Sequence, residues 1–160
     1  MQPVLADFAL WLDAIGFVGW VRAGRHLYPL ANSLHLLGLV MLVGGIGIVD
    51  LRVAGLWRRL PLPALTSALT PVAVAGLATM AASGLILFAA DGAALAGSAT
   101  FHRKLILIAL ALANAVLFRA IWHRRIADGD APPPAARLVA VASLMLWLAA
   151  GTAGRLIAYT

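Results

Sequence analysis

From Tyr28 onward the chain is organised by four long apolar runs, separated by short breaks that are polar or marked by proline. Within each run the apolar residues are continuous rather than alternating, the pattern of helices apolar on every face and not of barrel strands. About 20 such residues cross the hydrocarbon core of a bilayer. The first span, about 28–50, opens at Tyr28-Pro29, is apolar apart from Asn32, Ser33 and His35, and closes on Asp50-Leu51-Arg52, with Trp57-Arg58-Arg59 beyond it. Leu60-Pro61-Leu62-Pro63 predicts a break, because proline lacks an amide donor and restricts the residue before it, and a connecting segment is expected up to Thr70.

Pro71 then opens the second span, 71–90, whose Ala75, Gly76, Thr79, Ala82, Ser83 and Gly84 allow close approach of neighbouring backbones. Asp91-Gly92 and Gly97-Ser98 frame a short predicted loop. His102-Arg103-Lys104 introduce the third span, about 103–122, which holds Asn114. A polar, proline-stiffened loop runs from His123-Arg124-Arg125 through Asp128-Gly129-Asp130 to Pro132-Pro133-Pro134, and the last span, about 136–158, carries Ser143, Thr152 and Arg155.

Ahead of these spans, Phe8, Trp11, Leu12 and Ile15 recur at helical spacing with Asp7 and Asp13 elsewhere on the turn, which predicts a short amphipathic helix in the membrane interface. Gly16 and Gly19 interrupt it, and Trp20, Arg22, Arg25 and Tyr28 suit the headgroup zone. Residues 4–26 therefore read as an interfacial collar. The opening residues lack the basic region and cleavage site of a secretory signal, so the N-terminus is expected to be retained. The expected fold is all-α: one membrane domain over residues 1–160, a four-helix bundle with an N-terminal interfacial amphipathic helix.

Composition strengthens this reading. Of 160 residues, 63% are hydrophobic and 11% charged, and the mean hydropathy is +0.97, more apolar surface than a water-soluble fold of this size can hide. The absence of cysteine excludes disulfides, thiolate metal sites, iron–sulfur clusters and covalently attached c-type haem. The net charge of +6 sits at the edges of the apolar runs rather than in a basic tract, so it points to topology and not to nucleic acid. Alternating loops put Arg52, Arg58, Arg59, Arg119, Arg124, Arg125 and Arg137 on one side and Arg22, Arg25, Arg103, Lys104 and Arg155 on the other. The larger group belongs in the cytoplasm, so both termini are expected outside.

The candidate chemistry centres on His35, an ionisable group inside a membrane helix, where such residues face a bundle or cavity. Gly38 and Gly45 lie near its helical face, and they leave room either for a flat cofactor or for tight helix packing. His102 is the candidate second metal ligand beside His35, at a shallower level by about 10 Å. Lys104 and Arg155 share the outer half with His35 and lack neighbouring carboxylates in sequence, as expected for groups that meet haem propionates, a lipid phosphate or a small carboxylate. Asp50 is expected to pair with Arg119 or Arg124, and Asn114 to hydrogen-bond across helices. Met41, Met80 and Met145 are too isolated for a copper site. No acid–base set accompanies Ser33, Ser83 or Ser143, which argues against a hydrolase.

Tyr28-Pro29, Ser33-Leu34-His35-Leu36-Leu37-Gly38, Asp50-Leu51-Arg52, Phe101 with Lys104, and Gly154-Arg155-Leu156-Ile157-Ala158-Tyr159 together resemble an uncharacterised family of small bacterial inner-membrane proteins. That resemblance implies a four-helix bundle in the bacterial envelope and no settled activity. The histidine followed by glycines is also similar to b-type cytochrome and copper-resistance membrane domains. Two functional expectations follow. One is a haem b-binding electron-transfer subunit, with His35 as axial ligand and Lys104 and Arg155 on the propionates. The other is a non-enzymatic scaffold or small-anion and lipid-binding subunit, whose partners are membrane lipid and other membrane subunits or a second copy of the chain.

Overall fold

The computed structural model describes residues 2–127 and 131–159, so Asp128-Gly129-Asp130 of the expected polar loop lie outside the described residues. Six α-helices follow in order: α1 (Gln2–Ala14), α2 (Phe17–Ala23), α3 (Leu27–Ala54), α4 (Leu62–Gly97), α5 (Ala99–Ala127) and α6 (Pro134–Leu156), with a closing 3-10 turn at Ile157–Tyr159. From α3 to the end of the chain, four helices are long and apolar enough to cross a membrane. No strand occurs among the described residues. The fold is the all-α bundle that the continuous apolar runs dictate.

The helix boundaries correct two expectations. The predicted connecting segment up to Thr70 is helical, because α4 begins at Leu62. Pro63 occupies the first turn, where its missing amide would have had no helical partner, and Pro71 is carried inside the helix. Apolar packing offsets the lost backbone bond: Leu62 and Leu69 join Val49, Val53, Trp122, Ile126 and Ala140 in one cluster. The predicted loop from Asp91 to Ser98 is likewise mostly helix. Asp91 bends α4 (φ −130°, ψ 30°), and Ser98 alone separates α4 from α5, its hydroxyl oxygen accepting from the Phe101 amide at 3.2 Å.

At 36 residues α4 is about 54 Å long, well beyond a hydrocarbon core of about 30 Å. Its final turns are covered by the collar. α1 and α2 meet at a 71° bend where Gly16 takes the left-handed conformation (φ 78°), and Leu12, Val18 and Val21 pack on Phe88 and Ala89. Trp11, Phe8, Phe88 and Phe101 stack in succession, with ring centroids 5.8, 5.8 and 5.7 Å apart. The Arg22 guanidinium donates to the Ala90 carbonyl at 3.1 Å, beside the Asp91 bend. Leu10, Trp11, Ile15 and Trp20 remain exposed, an apolar surface fit for lipid.

The bundle is held unevenly. α3 lies along α4 and α6, α5 lies along α6, and α4 and α5 meet only sparingly. The α3–α4 contact is backbone to backbone: a Cβ at Gly76 would stand 2.6 Å from the Leu42 nitrogen and 2.7 Å from the Gly38 oxygen. At the end away from the collar, α3 stops at Gly55 (φ 120°), whose amide and that of Leu56 bond back to Arg52 and Leu51. Arg52 then ties the turn into α4, donating to the Leu60 carbonyl at 2.8 Å and the Arg58 carbonyl at 3.0 Å.

Candidate functional site

Two polar clusters sit at opposite ends of this bundle. At the collar end, His35 of α3 faces α4, where its Nδ1 lies 3.0 Å from the Ser83 hydroxyl. That hydroxyl donates its one hydrogen to the Thr79 carbonyl at 2.6 Å, so the imidazole must be the donor between them. In the neutral ring this sets the tautomer, with the proton on Nδ1 and a lone pair on Nε2. Gly84 makes room for the ring, since a Cβ there would lie 3.3 Å from His35 Cε1. Lys104 of α5 is half-buried, acts electrostatically on His35, and runs across Gly154 of α6, where a Cβ would meet its Cε and Nζ at 3.4 Å. Each of the four long helices thus contributes to the cluster.

The other residues expected at this site are placed differently. Gly38 and Gly45 give no open face beside His35, because α4 fills it: a Cβ at Gly38 would stand 2.8 Å from the Gly76 oxygen and from Met80 Cγ, and one at Gly45 3.0 Å from the Leu69 oxygen. These glycines serve helix packing. Arg155 is exposed and engages Tyr159, with Nη2 donating to the phenol oxygen at 3.0 Å and the guanidinium 5.3 Å from the ring centroid. His102 is partly buried one turn into α5, and its Nε2 has no hydrogen-bond partner. Among the described residues no group of three or more His, Asp or Glu is gathered as a metal ion would need.

The opposite end holds what the sequence did not announce. Where α4 and α5 diverge, a cavity of about 580 Å³ opens, with walls from all four long helices. Asp50 of α3 lies in it, 6% exposed, hydrogen-bonded to Ser143 of α6. The expected ion pair with Arg119 or Arg124 does not form among the described residues; Arg119 and Arg124 are exposed, and Arg119 borders the cavity. Trp147 of α6, 5% exposed, is a second wall, and Asn114 makes its expected interhelical bond, donating to the Val139 carbonyl at 3.1 Å.

Fold and clusters define a class: an all-helical protein with four membrane-length helices, a collar on one end of the bundle, and buried polar groups at both ends. The particular family is shown by the sequence itself. The model of DUF6644, a family of unknown function, matches residues 8–160, and the chain belongs to that family, which bears out the resemblance to an uncharacterised group. No curated protein and no solved structure matches the chain.

Proposed function

We propose that this chain is a non-enzymatic protein of the bacterial inner membrane that binds the headgroup of a phospholipid at the collar end, with both termini outside. The observation that carries this reading is Lys104: half-buried, close to His35, and without a carboxylate ion-pair partner among the described residues. A cation in that position is stabilised by an anion, and a lipid phosphate is the anion a membrane supplies. His35 refines the choice. Its Nε2 lone pair accepts a hydrogen bond, so the favoured headgroup carries a donor beside its phosphate, as phosphoethanolamine and phosphoglycerol do and phosphocholine does not.

Native mass spectrometry of the purified chain with the three lipids tests this. Phosphatidylethanolamine or phosphatidylglycerol is expected to be retained about tenfold over phosphatidylcholine, and Lys104→Met to lose most of that retention. Equal retention of all three, or retention untouched by Lys104→Met, would sink the headgroup reading.

A second reading keeps haem b at His35, and the favourable observation is the same tautomer, which leaves Nε2 for iron while Nδ1 is oriented by Ser83. Against it stands the α4 backbone that fills the space beside Gly38 and Gly45. Oxidised and reduced optical spectra of haem-replete protein decide: a Soret band lost in His35→Ala supports haem, and a featureless spectrum removes it.

A further inference from the structure

Within the cavity between α4 and α5, Asp50 lies about 22 Å along α3 from His35, and none of the residues of the headgroup reading lines it, so it does not depend on that reading. Its volume falls within the range of about 300–1,000 Å³ typical of small-molecule sites. Several of its polar walls are already satisfied. Thr66 and Ser67 donate to carbonyls of their own helix, and Asn114 donates to Val139. Two buried polar atoms are left over: Asp50 Oδ2 and Trp147 Nε1 have no hydrogen-bond partner. Both residues line the cavity, and both are more than nine-tenths buried. Buried polar atoms without partners are rare and costly, which makes two in one cavity informative.

Their chemistry specifies the missing group. The indole N–H can only donate, so it needs an acceptor. Asp50 Oδ2 needs a donor when the carboxyl is ionised and an acceptor when it carries the proton there. A hydroxyl meets the indole and either form of the carboxyl. A bare carbonyl serves the ionised carboxyl not at all, and an ammonium leaves the indole unmet. Apart from Thr70, Arg119 and His123, the remaining walls, among them Leu77 and Phe118, are apolar, and α4 and α5, which contact each other sparingly, are both long and apolar enough to cross the lipid, so the rest of the ligand is hydrocarbon. We infer that this cavity binds a lipophilic molecule headed by a hydroxyl, entering from the membrane between α4 and α5, its oxygen held between Asp50 and Trp147.

Such a head belongs to a membrane quinol or to an aliphatic lipid alcohol. Purified full-length protein in detergent is titrated with a short-chain benzoquinol and its di-O-methyl ether, and with dodecanol and its O-methyl ether, following thermal unfolding. The ethers keep shape and apolar area but cannot donate. At least one hydroxyl probe is expected to bind about tenfold or more tightly than its ether, and the tighter of the two identifies a ring or a chain as the natural body. Asp50→Leu and Trp147→Phe are expected to erase that preference while leaving ether binding in place. Because the wild-type comparison needs no variant, the inference stands or falls even if a substituted chain does not fold. Equal binding of hydroxyl and ether, or no binding of either pair, overturns it, the first because the cavity then takes any acyl chain and the second because water alone fills it.

Discussion

At the scale of single residues, the protein turns on polar groups that hydrogen-bond across helices rather than pair by charge. His35 is held by Ser83, and Asp50 by Ser143. Removing the Ser83 hydroxyl takes the side-chain acceptor from the Nδ1 proton of a partly buried imidazole and leaves it only the Met80 carbonyl, so Ser83→Ala is expected to cost about 1–3 kcal/mol, read as a lower melting temperature in detergent. Ser83→Thr keeps the oxygen and is expected to recover most of the loss; equal melting of the alanine variant and the wild type would show that the pair contributes nothing. His35 and Asp50 were legible in the sequence because ionisable residues in apolar runs are costly wherever they sit. Their partners were not. Which serine faces them depends on the rotation of helices 48 or more positions away in the chain, and charge counting favoured arginines that are instead exposed.

At the scale of elements, α3 and α4 are joined by a contact that tolerates no side chain on either side. Gly76→Ala would drive a methyl group into the backbone of Leu42 and Gly38, and neither can yield without moving a helix. The expected cost is about 1–3 kcal/mol, with reduced yield of folded protein. Gly44→Ala is the control, since nothing lies within 4 Å of its Cβ position, and helix propensity there favours alanine by about 0.5–1 kcal/mol. Similar losses from both substitutions would mean that helix flexibility, and not the contact, is what the glycines supply. The sequence showed small residues on α4 and glycines on α3, and left open whether they met each other or a ligand. It misplaced both ends of α4 because a proline near a helix start and a polar bend near its end look like loops, until the packing of Leu62, Leu69 and the collar is known.

At the scale of the whole molecule, the remaining question is how the bundle sits in its membrane. The bent pair of α1 and α2 is long and apolar enough to cross a membrane only when taken together, whereas its packing on the last turns of α4 and its exposed Trp11 and Trp20 fit a collar at one interface. With seven basic residues on the Arg52 side and five on the other, the proposed orientation has the collar outside. The chain has no cysteine, so single-cysteine labelling has no background to correct. Gln2→Cys and Gly97→Cys at the collar end are expected to react with a membrane-impermeant maleimide in intact spheroplasts. Ala64→Cys and Ala131→Cys, exposed at the other end, should react only after permeabilisation. The reverse pattern would invert the molecule. If positions 2 and 97 report opposite sides, α1 and α2 form a fifth span, and the headgroup site proposed at Lys104 would then lie against a helix pair crossing the bilayer rather than beneath a surface collar.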